Sequence, residues 1–369
     1  MPSSTIDNAS TEKNIREINF GEALQEAQYQ AMESDKSIMV IGEGVADPKS
    51  IFRTTEGLVE KFGPDRVTEM PLAENGMTGV CIGLATSGFR PILVHQRIDF
   101  ALLSLDQLIN NAAKLHYVFN GQVTVPLVVR MLIGRGWGQG PQHAQSLQSL
   151  FAHIPGLKVV MPTTPYDAKG MLLSAIKDNN PVMFIEHRWL YNLKGDVPKE
   201  QYLVPLDKAS IVKKGSHITV ATFSHMTIEA IAAAQVLAEH GVEVEIIDMR
   251  SVRPLDMDPV LASVEKTGLL MVLDTGWASC GVSGEIMART VENAFQYLKK
   301  PPMRITLPDH PAPTSKHLAD DYYPDAETIV KAIVSLVDDE QKLPTQEMCK
   351  RVRRTSLRDI PNPAYVGPF

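Results

Sequence analysis

What most constrains this chain is a series of short, unbroken apolar runs, each separated from the next by a helical pattern. Residues 37–42 read SIMVIG, 91–94 PILV, 125–131 VPLVVRM, 156–161 GLKVVM and 181–186 PVMFIE. A strand with one wet face alternates apolar and polar residues, whereas a strand covered on both faces does not. Between the runs, residues 20–33, 102–117 and 167–178 place apolar or small residues at helical spacing. The pattern predicts open parallel sheets sandwiched by helices, an α/β fold.

The alternation recurs after a polar stretch at 193–206 that contains Gly195, Pro198 and Pro205. Strands are expected at 218–223, 242–247 and 269–274, with helices at 227–239, 282–295 and 325–337. At about 100–200 residues per domain, the chain accommodates two such domains. The reading is a disordered or extended segment 1–16, an α/β domain 17–194, a linker 195–207, a second α/β domain 208–338 and an irregular arm 339–369. In open parallel sheets, ligands bind beyond the carboxyl ends of strands. That draws attention to the loops near Glu74, His95–Phe100, Gly134–His143 and Trp277–Gly281.

Composition narrows the function class. With 36 Lys+Arg against 43 Asp+Glu, the net charge of −7 offers no basic surface for nucleic acid or an anionic membrane. No run of about 18 apolar residues exists to span a bilayer. The 3 cysteines, Cys81, Cys280 and Cys349, are far apart and odd in number, which argues against a disulfide framework or zinc site. The first 14 residues have neither a signal-peptide core nor the Arg-rich character of a transit peptide. The expectation is a soluble, cytoplasmic chain.

Two segments carry candidate chemistry. In MPLAENGMTG, Glu74 stands at the mouth of a helix rich in small residues. A poorly solvated carboxyl there has a raised pKa and can exchange a proton with a bound heterocycle; the alternative is a helix-start carboxylate that favours the dipole. In GRGWGQGPQH, 4 glycines in seven residues permit positive φ and close backbone approach to a ligand, and His143 follows. A histidine so presented suits proton shuttling; the alternative is a surface loop, against which Trp137 counts. The loop lacks the Gly-Lys-Ser/Thr ending of a phosphate loop, and the chain has no GxSxG, HExxH or CxxC motif. Phe100 is by default a core residue, with ligand stacking as the minority reading. Asp178, Asn179 and Asn180 offer oxygens for a hard cation, although a capped turn is commoner.

PLAENGMTGVCIGLATSGFRPI, DFALLSLDQLINNAAK, the 43 residues from Gly140 to Val182, and DMRSVRPLD together resemble the beta subunit of thiamine-diphosphate-dependent 2-oxo acid dehydrogenases. The similarity runs from about Asn19 to Leu336. It implies a thiamine-diphosphate pyrimidine-binding domain followed by a transketolase C-terminal-like domain. It also implies a cofactor shared with an alpha subunit, which holds the diphosphate and its Mg2+, in an alpha2beta2 assembly with beta–beta contact. No Gly-Asp-Gly with a distant Asn, the diphosphate–metal signature, is present, so the chain is expected to be inactive alone.

By position, Glu74 matches the family's glutamate on the aminopyrimidine ring nitrogen, where it favours the imino form that activates the thiazolium. Phe100 matches the aromatic stacked on the pyrimidine. His143 matches the histidine facing substrate and the lipoyl acceptor. A structural potassium site falls on Asp178 and Asn180, with carbonyls near Ala175 and Ile176. One departure is HQR (His95–Arg97) before the stacking aromatic, where the family has an acidic-apolar stretch. With Arg188 it marks His95 and Arg97 as candidate substrate contacts.

The first reading is a 2-oxo acid dehydrogenase subunit passing its acyl group to a lipoyl acyltransferase. The second is a two-component transketolase-like or carboligating enzyme with another acceptor, for which Arg97 and Arg188 would bind an anionic substrate. A non-catalytic regulatory subunit is the third. Glu74, Phe100 and His143 together count against it.

Overall fold

The computed structural model describes residues 14–47, 52–136, 138–338, 340 and 342–353. Its strands are β1 (Ile15–Asn19), β2 (Ile38–Gly42), β3 (Val67–Glu69), β4 (Arg90–His95), β5 (Val128–Ile133), β6 (Lys158–Val160), β7 (Val182–His187) and β8 (Lys194–Pro198) in the first half. The second half contributes β9 (Ser210–Lys213), β10 (Ile218–Thr222), β11 (Val244–Asp248), β12 (Ser251–Arg253), β13 (Leu270–Trp277) and β14 (Met303–Leu307).

A seven-stranded sheet runs in the order β12-β6-β7-β5-β4-β2-β3, and a five-stranded sheet in the order β14-β13-β10-β11-β9. All pairings within them are parallel except those of β12 with β6 and β9 with β11. The expected parallel sheets are therefore present, each with one antiparallel edge strand. The unbroken runs are the sheet interiors: every residue of β5, β7, β10 and β11 is buried. That burial includes one ion pair. Arg130 on β5 grips both carboxylate oxygens of Glu186 on β7 at 2.6 and 2.9 Å, and the two side chains are inaccessible to solvent.

Helices cover the faces. Phe20–Ser34 begins with a capping box between Asn19 and Glu22 and packs on Pro165–Lys177. Opposite lies Glu74–Thr86. The expected helix over 102–117 is instead a 3₁₀ turn, a π-helical stretch at Gln107–Ala112 and an α-helix at Ala113–Val118.

Three boundaries differ from expectation. Within the supposed linker, Lys194–Pro198 pairs antiparallel with Ile15–Asn19, part of which fell in the supposed N-terminal segment. The strand β12 belongs by sequence to the second half yet extends the first sheet. In the supposed irregular arm, Thr345–Val352 is a helix packed on His225–Ala238 and Ala326–Val337, with Met348 and Cys349 buried. Residues 1–13, 354–369 and Trp137 lie outside the described residues.

Candidate active site

Glu74 opens its helix directly beyond β3, after the chain has been tied back by Met70 N–H to the Gly42 carbonyl (3.1 Å). Its own carbonyl accepts from the hydroxyls of Thr78 (2.7 Å) and Ser104 (3.1 Å), which anchors it to the segment that follows Phe100. The residue is only 8% exposed, and among the described residues its carboxylate has no hydrogen-bond donor. A second acid, which sequence reasoning missed, faces it. Glu43 follows β2; burial raises its pKa first, and the Glu74 and Glu69 charges raise it further. The signal available in the sequence was its place just past a strand ending in Gly.

Phe100 sits on the short helix Ile98–Ala101 beyond β4, with its ring centroid 5.5 Å from that of His143. His143 is half-buried, and its Nδ1 is buried without a hydrogen-bond partner. Beside them, burial raises the pKa of Asp99 against a 2.7 Å hydrogen bond from Gln145. The structure therefore gathers Glu74, Phe100 and His143 at the carboxyl ends of neighbouring strands and adds Glu43 and Asp99.

Of the four glycines in the His143 loop, Gly134 and Gly138 take the expected positive φ, +89° and +72°, and three lie against the protein's own side chains. A Cβ on Gly134 would lie 2.6 Å from the His187 ring, one on Gly136 1.9 Å from Arg188, and one on Gly140 2.2 Å from the Thr314 hydroxyl. Gly134, Gly136 and Gly140 are thus crowded by side chains of the protein itself, whereas a Cβ on Gly138 would meet nothing and only its φ favours glycine. Arg135 fixes the loop's first part to the far domain, donating to the carbonyls of Pro313 and Thr314 (2.7 Å to the latter).

His95 ends β4 fully enclosed, and burial pushes its pKa down to about 4, so it is neutral at pH 7. Arg97 and Arg188 are both buried and converge on Gln139. The four candidate potassium residues lie apart, at the amino end of β4. There Arg90 donates to the carbonyls of Ile176 and Asp178, each at 3.0 Å, and Lys158 pairs with the Asp178 carboxylate. The Ala175 carbonyl accepts from the Asp178 N–H at 3.2 Å, and the Asn180 N–H donates to the Asp178 carboxylate at 2.9 Å. Of these oxygens, the Ile176 and Asp178 carbonyls and the Asp178 carboxylate are met by cations of the chain itself. No group of three or more His, Cys, Asp or Glu side chains that could hold a metal occurs among the described residues.

Two α/β domains in tandem, the first carrying a buried acid, an aromatic and a histidine beyond its strand ends, are the architecture of a transketolase-type chain. Residues 16–194 match the family model "Transketolase, pyrimidine binding domain" and residues 207–329 match "Transketolase, C-terminal domain". The chain is 42% identical over 327 residues to the acetoin:2,6-dichlorophenolindophenol oxidoreductase subunit beta of Cupriavidus necator, covering 86% of this chain and 96% of that one. It is 40% identical to the Bacillus subtilis protein of the same name, covering 87% and 98%. It is 38% identical to the human mitochondrial pyruvate dehydrogenase E1 component subunit beta, covering 86% and 90%. A solved split-gene transketolase, an inactive beta4 tetramer, shares the fold at a TM-score of 0.71 and 19% identity, over 91% of this chain and 100% of that one. The chain belongs to the transketolase-like family of beta subunits that includes those of pyruvate dehydrogenase E1 and acetoin oxidoreductase.

Proposed function

We propose that the protein is the beta half of a thiamine-diphosphate-dependent enzyme that cleaves a 2-oxo acid and hands the acyl unit to a lipoyl group. The observation that carries this is Glu74, a buried carboxylate without a donor, whose backbone is tied through Ser104 to the segment that follows Phe100. A protonated ring nitrogen of a pyrimidine supplies the missing donor, and Phe100 supplies a face for the ring. Thiamine diphosphate, when bound, supplies the nucleophilic carbon and the electron sink that cleavage next to a carbonyl requires.

The chain's own residues then divide the work. Glu74 holds a proton at the pyrimidine ring nitrogen in a place where water is scarce and the charge interaction is strong. Glu43, raised by burial and by Glu74, disfavours a second full charge at the same spot. His143, with Nδ1 uncommitted, orients the acceptor or donates a proton to it.

An alpha subunit completes the site in this reading, contributing the diphosphate pocket and Mg2+ in an alpha2beta2 assembly. Support comes from the apolar face around Glu74: Leu72 is 84% and Leu103 60% exposed, and a Cβ on Gly76 or Gly83 would meet nothing. A lipoyl acyltransferase is the downstream partner, and potassium has no role in the proposed chemistry. No helix among the described residues is long and apolar enough to cross a membrane, and a cytoplasmic location rests on composition. The names of the 42% and 40% identical relatives make a hydroxyketone such as acetoin the second donor to assay.

Glu74→Gln is nearly isosteric, so it tests the proton role with little change in packing. In enzyme reconstituted with the alpha subunit, turnover should fall by about 10²-fold or more, the range of a lost acid–base group, while the melting temperature is retained. Undiminished turnover with an intact fold would remove Glu74 from the mechanism.

A further inference from the structure

One oxygen in the His143 loop is heavily subscribed. Gln139 Oε1 accepts from Arg188 Nη1 at 3.0 Å, from the Gly136 N–H at 2.9 Å and from Arg97 Nη2. An amide oxygen has two lone pairs, and two of these three donors are guanidinium cations that are 6% and 1% exposed. The acceptor that matches such a set is an oxygen of a carboxylate or phosphate, which brings full charge and more lone pairs than a neutral amide. The cluster is built rather than incidental. Gly136 lacks the Cβ that would strike Arg188, the Arg188 guanidinium lies 5.2 Å over the Phe52 ring, and Arg97 Nη1 holds the carbonyls of Gly134 (3.1 Å) and His143 (2.7 Å). Through that last bond it adjoins the proposed reacting centre. Gln139 itself is half-buried on a loop and open to displacement from the solvent side.

We infer that Arg97, Arg188 and the Gly136 N–H form an anion subsite beside His143, occupied by the Gln139 carboxamide as a stand-in. The donor substrate then carries a second anionic group distal to its reacting carbonyl. This rests on the proposed function, because it is the nearness of His143 that makes the anion part of a substrate.

The test uses enzyme reconstituted with its alpha subunit, thiamine diphosphate, Mg2+ and an artificial electron acceptor. Donors are pyruvate, acetoin, 2-oxoglutarate with a distal carboxylate, and 2-oxo-4-phosphonobutanoate with a distal phosphonate. The wild type should prefer one distal anion over pyruvate at least tenfold in kcat/KM, and which one identifies the anion. Gln139→Glu, which seats a permanent carboxylate on the guanidiniums, should erase that preference through KM. Arg188→Gln should do the same, with Arg188→Lys recovering part. A ratio that is the same in wild type and variants, or a wild-type preference for pyruvate, overturns the subsite. In a parallel calorimetric titration with inorganic phosphate, binding by the wild type that is lost in Gln139→Glu supports it, and equal heats overturn it. If no donor turns over, acetoin included, the functional reading fails and the phosphate titration alone decides the subsite.

Discussion

Asp248 keeps its proton to an unusually high pH because no solvent reaches it and the Asp167 charge lies nearby. Those two causes lift its pKa from 3.8 to about 7, against hydrogen bonds from Thr163 and the Arg250 N–H (3.1 Å) and the opposing Arg250 charge. Asp167, from the first half of the chain, is itself raised by burial and countered by Arg250 at 2.7 Å. Between pH 4 and 7 the folded protein thus binds a proton at Asp248 that the unfolded chain has released. The resulting stabilisation is full below the unfolded value and lost as pH rises through about 7. Asp248→Asn removes this titration. It should raise the melting temperature at pH 8 relative to pH 5 by at least about 2–4 °C, the equivalent of roughly 1 kcal/mol; parallel pH profiles for the two proteins would contradict it. At this scale the sequence was legible where a residue type was unusual for its place, as with Glu74 after Pro71 and His143 after the glycines. Glu43, Gln139 and Asp248 were not. Nothing local marks an acid or an amide whose character comes from residues 26 to 81 positions away.

Elements were readable in proportion to how much of their burial they wrote into their own sequence. Strands buried on both faces are continuous apolar runs, so β2, β4, β5 and β7 were apparent. β3 (VTE) and β12 (SVR) are as short as β6 but, unlike it, do not lie in an apolar run. For the glycine loop, the positive φ of Gly134 and Gly138 was legible but the crowding was not, since the crowding groups come from His187, Arg188 and Thr314. The helix Thr345–Val352 was obscured by its charge. Its apolar side consists of Met348, Cys349 and Val352, and its polar side binds outward through Arg351 to Glu239 and, just beyond, Arg353 to Glu327 at 2.9 Å. Those pairs are exposed on the arginine side and contribute little by themselves. Held by Arg353 and Lys331, the Glu327 carboxyl sits down at about 2. The anchor is therefore Met348, which is fully enclosed in the core of the second domain. Met348→Ala should cost about 2–5 kcal/mol in a denaturant titration while leaving kcat of the reconstituted enzyme unchanged. A loss below about 0.5 kcal/mol would mean that the helix is held by its ion pairs instead.

As a whole molecule, the protein is proposed to present half of a site. In the proposed reading Glu74, Phe100 and His143 serve the pyrimidine and the acceptor, and the alpha subunit holds the diphosphate and its metal. Calorimetry should therefore show thiamine diphosphate binding to the chain alone at least about tenfold more weakly than to the chain mixed with its alpha subunit. Equal affinity would mean that the diphosphate is held here. The two-domain division was legible because the helix–strand rhythm restarts after the polar stretch at 193–206. How the halves join was not, because β12 carries no mark of the sheet it enters. That strand crosses from the second half to pair with β6, Met161 N–H reaches the Arg250 carbonyl at 2.7 Å, and Arg135 reaches back from the first half to Pro313 and Thr314. The halves are thus laced in both directions, and the covalent connection at 199–206 is the least of their ties. A protease that nicked this connection would release no free domain: the two fragments would travel together, and the active-site loop would keep its footing on the opposite half.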